Sequence, residues 1–177
     1  MPETYPREII EDLVDERLDW DQLHEMMSSF KDSNRFQHYR DIRQARVDWD
    51  DPIVLPYAAH LYVVAKATER EVDTATGDRW LIKCDCGHEF CEYDENWKLH
   101  ALINVRDSEE AFNELYPEPM YANPEWQELR EYFCPGCQTQ LEVEAVMPWY
   151  PPVHSFEPDI EAFYDEWLDE PIPTAER

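Results

Sequence analysis

The sequence predicts an α+β fold: short N-terminal helices, then an antiparallel β region carrying two cysteine knuckles, then an aromatic C-terminal helix. Three observations lead there. Apolar residues recur at helical spacing before Val47 and again after Pro158. They alternate with a period of two in several runs between Ile53 and Met147. The five Cys fall in two tight clusters inside that β-rich stretch.

Residues 6–47 read as helical. Ile10, Val14 and Leu18 stand four apart, Ile9 and Leu13 fill the same stripe, and Pro6 suits a first helical turn. A second short helix carries Leu23, Met26, Met27 and Phe30. A third, opened by Asp32 or Ser33, carries Phe36, Tyr39 and Ile42. Such stripes are core in the first instance, but three short helices bury little without a sheet beneath them, so part of the stripe is available to another chain.

From Pro52 the period changes. Ile53 to Leu55, His60 to Ala67 and Arg79 to Lys83 read as strands, the last two joined by a polar turn at Asp73 to Asp78. Trp97, Leu99, Ala101, Ile103 and Val105 alternate with other residues, as do Leu141, Val143, Ala145 and Met147, so both runs read as half-buried strands. Two helices, Ser108 to Tyr116 and Pro124 to Tyr132, are expected to interrupt the sheet. Ser108 with Glu109 and Glu110 behind it starts the first, and Pro124 after Asn123 starts the second. Met147 to Pro152 reads as an extended Pro-rich arm, followed by a helix from Pro158 to Leu168 with Ile160, Phe163, Tyr164 and Trp167 on one broad face. The chain thus divides into an N-terminal helical segment at 1–50, a knuckle-bearing β domain at 51–148 with 92–133 inserted between the knuckles, and an arm plus helix at 149–177.

Composition excludes several functions. With 15 Lys plus Arg against 41 Asp plus Glu, the net charge of −26 repels a phosphate backbone, so a nucleic-acid partner is not expected. A hydrophobic share of 43% with 7 Trp, 10 Tyr and 7 Phe is too apolar for a disordered acidic chain. Only 3 Gly are present, and none forms a phosphate-cradling loop or dinucleotide fingerprint. No run approaches the ~20 apolar residues of a membrane helix, and the acidic first 20 residues do not read as a signal peptide. A cytoplasmic protein without a membrane partner is expected.

The Cys pattern is the strongest chemical signal. Cys84-Asp-Cys86-Gly87-His88-Glu-Phe-Cys91 follows a strand, and Cys134-Pro-Gly-Cys137 precedes one. Two thiolate pairs on tight turns supply the four soft ligands of a tetrahedral zinc site, so Cys84, Cys86, Cys134 and Cys137 are the expected metal ligands. The 47 residues between Cys86 and Cys134 exceed the roughly 15 to 20 of a minimal two-knuckle ribbon, hence the insertion. Cys91 is read as a small buried hydrophobe and His88 as a turn residue or outer donor. A redox dithiol at Cys134 and Cys137 is disfavoured, because such a pair acts from a helix N-terminus and Gln138 to Met147 alternates as a strand. His24, His38, His60, His100 and His154 are scattered without metal-ligand spacing. No nucleophile has a recognisable setting, so the expected catalytic set is empty.

At these residues the chain resembles the acetone carboxylase gamma subunit family. The resemblance rests on Cys84-Asp-Cys-Gly-His-Glu-Phe-Cys91, Asn96-Trp-Lys-Leu-His100, Val105-Arg-Asp107, Arg130-Glu-Tyr-Phe-Cys-Pro-Gly-Cys137, Trp149-Tyr-Pro151 and the run from His154 to Leu168. Asp12 to Asp15, Lys31-Asp32, Trp49-Asp-Asp51 and Leu55-Pro56 extend it over nearly the whole chain. The turn at Thr74 to Asp78 looks longer than the family's hairpin, and the chain is more acidic. The resemblance implies a heteromeric, ATP-dependent ligase that joins bicarbonate to acetone, giving acetoacetate with AMP and phosphate. It implies alpha and beta partner subunits carrying the manganese and nucleotide sites, two copies of each subunit in a heterohexamer, and a small zinc-binding gamma subunit that is inactive alone. Two other readings stand beside it: a stand-alone acidic zinc-ribbon adaptor, and a gamma-type subunit of a related ketone carboxylase.

Overall fold

The computed structural model describes residues 5–28, 33–67, 79–117 and 120–175. Phe30, Asp32 as the alternative start of the third helix, and the turn at Asp73 to Asp78 lie outside them.

Among the described residues three helices come first: α1 (Arg7–Val14), α2 (Trp20–Ser28) and α3 (Ser33–Gln44). The predicted first stripe is cut before Leu18, because Glu16 adopts a left-handed φ of 57° and ends α1. A capping box then starts α2: Asp19 N–H donates to Gln22 Oε1 at 3.0 Å and Gln22 N–H to Asp19 Oδ1 at 2.9 Å. Ile10, Met26 and Ile42 form a small core of their own, edged by Leu13, Leu18 and Tyr39. The Gln44 side chain links α3 to the first strand, accepting from Ile53 N–H at 2.7 Å.

Among the described residues seven strands follow: β1 (Ile53–Ala58), β2 (Leu61–Lys66), β3 (Arg79–Cys84), β4 (Glu89–Glu92), β5 (Leu102–Arg106), β6 (Glu128–Phe133) and β7 (Gln140–Val146). They make two antiparallel sheets, ordered β1-β2-β3-β4 and β5-β6-β7. β2 lies inside the first sheet and is buried from Leu61 to Ala65, as its near-continuous apolar sequence requires. Ile53, Tyr62, Val64 and Leu81 pack under Val47 and Trp49 on one face of that sheet. On the other face Val54, Val63 and Ile82 join Phe90, Trp97, Tyr132, Ile160, Tyr164 and Leu168 in the main core. The C-terminal helix is α5 (Ile160–Ala162), capped by the Asp159 side chain at 3.0 Å from Ala162 N, and it widens to a π-helix over Phe163–Leu168.

Three predicted elements change. Residues 124–132 are not a helix: a turn at 124–126 leads into β6, the middle strand of its sheet. Glu128, Arg130 and Glu131 are buried there because each has a partner. Arg130 Nε donates to Glu128 at 2.6 Å, and Glu131 accepts from Asn104 at 2.6 Å and Arg106 Nε at 2.8 Å. The strand expected from Trp97 begins only at Leu102. Trp97–His100 is a 3₁₀ turn capped by Asn96, which turns Leu99 outward at 65% exposure and Lys98 inward at 0%. Glu89 to Glu92, given no element by its sequence pattern, pairs with β3. The helix expected from Ser108 is shorter, α4 (Glu109–Asn113), and Ser108 caps it as predicted.

Candidate metal centre

Two hairpin turns from different sheets meet at the cysteines. The β3–β4 turn carries Cys84 and Cys86, and the β6–β7 turn carries Cys134 and Cys137. The four sulfurs all lie within 4.8 Å of one another. Cys84 Sγ is 3.8 Å from Cys137 Sγ, and Cys86 Sγ is 3.7 Å from Cys134 Sγ. A tetrahedron built on Zn–S bonds of about 2.3 Å has edges of about 3.8 Å, so these separations suit a zinc-sized ion. Soft sulfurs without an oxygen donor among them suit the same ion. Cys91 and His88 stand outside this cluster.

Each turn is shaped by its own backbone. In the first, Gly87 N–H donates to Cys84 O at 2.8 Å and Cys84 N–H to His88 O at 2.9 Å. Gly87 has φ +90°, a conformation that strains any side chain. In the second, Cys134 N–H donates to Thr139 O at 2.9 Å, Gln138 N–H to Cys134 O at 2.8 Å, and Gly136 N–H points at Cys134 Sγ at 3.4 Å. Gly136 is needed for closeness: a Cβ there would stand 3.1 Å from His88 Cβ and 3.2 Å from Cys86 Sγ. The two turns therefore touch through a glycine at the cluster.

Electrostatics separate the sulfurs. Burial pushes the Cys84 and Cys86 thiols up from their ordinary values. Cys137 goes the other way, held down to about 6 first by the Thr139 side chain, whose Oγ1 lies 3.2 Å from Cys137 Sγ. Cys84 and Cys134 are buried while Cys86 and Cys137 are exposed, so the cluster sits at the rim of the core. A divalent cation placed among them would offset the burial of thiolate charge and draw off the remaining thiol protons.

Sequence spacing gave no sign of the support around Asp85. Its backbone carbonyl accepts from Trp49 Nε1 at 3.0 Å, and its carboxylate accepts from Tyr62 Oη at 2.6 Å and meets His60 Nδ1 at 2.6 Å. Burial first, and then the Asp85 carboxylate, push the Tyr62 hydroxyl up, which keeps it a donor. These contacts hold the middle residue of Cys84-Asp85-Cys86 from outside the knuckle. The one foretelling signal is the Asp between two Cys, a residue type free to accept from whatever the fold brings near.

Comparison with known proteins gives a consistent result. A family model described as acetone carboxylase gamma subunit matches residues 47–168, which include both knuckles and the C-terminal helix. The acetone carboxylase gamma subunit of Xanthobacter autotrophicus (strain ATCC BAA-1158 / Py2) is 47% identical over 170 residues, 96% of each chain. The acetophenone carboxylase beta subunit of Aromatoleum aromaticum (strain DSM 19018 / LMG 30748 / EbN1) is 32% identical over 80 residues, 44% of this chain and 62% of that one.

Proposed function

Because the chain belongs to the acetone carboxylase gamma subunit family, we propose that it is the small zinc-binding, structural subunit of an ATP-dependent acetone carboxylase. The complex joins acetone and bicarbonate to give acetoacetate, with AMP and phosphate as the other products. Cys84, Cys86, Cys134 and Cys137 hold one zinc, which supplies a closed, fully sulfur-ligated cross-link between the two sheets. ATP and manganese belong to the alpha and beta partners, and two copies of each subunit make a cytoplasmic heterohexamer.

The observation that carries this reading is the meeting of two hairpin turns from different sheets in a four-sulfur cluster. Four Cys occupy the tetrahedral positions and leave none for substrate, so the site orders the fold rather than doing chemistry. Partner docking draws support from exposed aromatic area. Trp126, Met147, Trp149 and Tyr150 are exposed around the β6–β7 sheet, and Phe156 and Trp167 around the C-terminal helix. On the broad face of that helix, Tyr164 is buried in this chain's own core and Phe163 packs against it. Identity of 47% over 96% of the chain favours acetone over the aromatic ketone named by the shorter match.

The test is yield against turnover. In Cys86→Ser the yield of assembled complex should fall while turnover per assembled complex stays near wild type. Normal yield with collapsed turnover would assign the zinc a catalytic part and overturn the structural reading.

A further inference from the structure

We propose that Cys91, Glu95 and His100 form a second, open metal site that takes a divalent cation of the zinc or cobalt class. The site shares no residue with the four-sulfur cluster and stands whether or not the subunit reading holds.

The three donor atoms all lie within 4.8 Å of one another. His100 Nε2 is 3.7 Å from Glu95 Oε2. The nitrogen–oxygen edge of a tetrahedral zinc site is about 3.4 Å, so a few tenths of an ångström of side-chain movement closes that edge. Both side chains are free to move that far, being about half exposed, at 57% for Glu95 and 45% for His100.

The backbone beneath is firmly held. Cys91 lies on β4 opposite Ile82. Glu95 N–H donates to Glu92 O at 3.1 Å, and Asn96 Oδ1 accepts from Lys98 N–H at 3.2 Å, shaping the 3₁₀ turn that presents His100. Trp97 and Lys98, buried within that turn, anchor it to the core. Asn96 Nδ2 also donates to Pro152 O at 3.1 Å. The donors thus come from a strand, a tight turn and a short helix whose relative positions are set by burial.

Charge and donor type point to the same class of ligand. The Glu95, Asp94 and Glu92 carboxylates all act on the Cys91 sulfur, and this negative charge attracts an entering cation. Binding would replace the S–H proton, released to solvent, by a metal–sulfur bond. One sulfur, one imidazole nitrogen and one carboxylate oxygen suit borderline cations rather than magnesium or calcium. Three protein ligands leave at least one position for water, unlike the closed cluster.

The experiment uses the full chain loaded with one equivalent of zinc, dialysed, and titrated with cobalt(II). A thiolate-to-cobalt charge-transfer band saturating at about one cobalt per chain is expected. Cys91→Ser should abolish the band, and His100→Ala and Glu95→Gln should each weaken cobalt binding at least about tenfold, with bound zinc unchanged. Absence of a band in the wild type overturns the proposal. So does a band that persists in Cys91→Ser, since cobalt would then have entered the four-sulfur cluster. The exposed positions of Glu95 and His100 keep those two variants informative should Cys91→Ser fail to fold.

Discussion

The Tyr164 hydroxyl donates to the backbone carbonyl of Val54 at 2.6 Å and accepts from Arg40 Nη1 at 3.2 Å. One buried oxygen thereby joins the C-terminal helix, β1 and α3. Tyr164→Phe keeps the ring and removes the bond, leaving buried polar groups without this partner. Stability should fall by about 1 to 3 kcal/mol, read as a lower midpoint in urea with an unchanged slope.

Lys98 is fully buried. Its Nζ donates to Glu142 at 2.7 Å, to Ser155 Oγ at 2.7 Å and to Glu144, and lies 5.5 Å from the Tyr132 ring centroid. Lys98→Met removes the ammonium from this network and leaves the Glu144 carboxylate without its cation, with Tyr132 Oη still donating to it at 2.7 Å. A loss of about 3 to 5 kcal/mol is expected, with a matching drop in melting temperature. The double change Lys98→Met with Glu144→Gln should recover part of it.

Acid sensitivity follows from the same place. Burial alone would raise Glu144, but the Lys98 and Tyr132 hydrogen bonds outweigh it and leave Glu144 below its ordinary 4.5. A depressed folded value means stability that is present above the unfolded value and lost as pH falls through the folded one. Glu131, held down against burial by Asn104 and Arg106, acts in the same direction. Stability should therefore decline below about pH 4.5, and Glu144→Gln should flatten that decline. Denaturant melts at a series of acid pH values decide this, and an unaltered slope in the variant would sink it.

Metal content distinguishes the five cysteines. Cys134→Ser should lose the zinc proposed for the four-sulfur cluster, while Cys91→Ala should keep it, because Cys91 lies outside that cluster. Gly136→Ala should bind zinc more weakly, since its Cβ would press on Cys86 Sγ and His88 Cβ. Elemental analysis of the purified variants checks all three.

Trp167 is 78% exposed and Trp149 64%. Alanine at either should leave the stability of the isolated chain within about 0.5 kcal/mol of wild type yet reduce co-purification with partner subunits. Deleting 149–177 would not separate these effects, because Ile160, Tyr164 and Leu168 belong to the main core. Unimpaired assembly of a doubly substituted chain would remove this face from the interface.

Much of the local structure was legible in the residues themselves. The two Cys pairs needed only their spacing and turn residues to be read as one site, because a knuckle is a property of a few consecutive residues. The buried apolar run of β2, the Ser108 cap and the alternation of β7 are local in the same sense. β6 was not. Glu-Leu-Arg-Glu-Tyr-Phe suits a helix in isolation, and it becomes a strand because β5 and β7 pair with it on both sides. Pairing and burial override propensity there, and Arg106, Asn104 and Gln140 make the buried charge tolerable.

By itself, then, the sequence determined the α+β class, the four-sulfur set and the family, since each depends on short patterns and on residue chemistry that travels with the chain. Only the tertiary structure decided that Lys98 rather than Leu99 faces the core. Capping by Asn96 makes a 3₁₀ turn where alternation foretold a strand, and Glu142, Glu144 and Ser155 receive the ammonium that turns inward. The tertiary structure likewise brought Cys91, Glu95 and His100 together. No sequence period links a strand residue to the end of a 3₁₀ turn, and their meeting depends on the tertiary burial of Trp97, which anchors that turn.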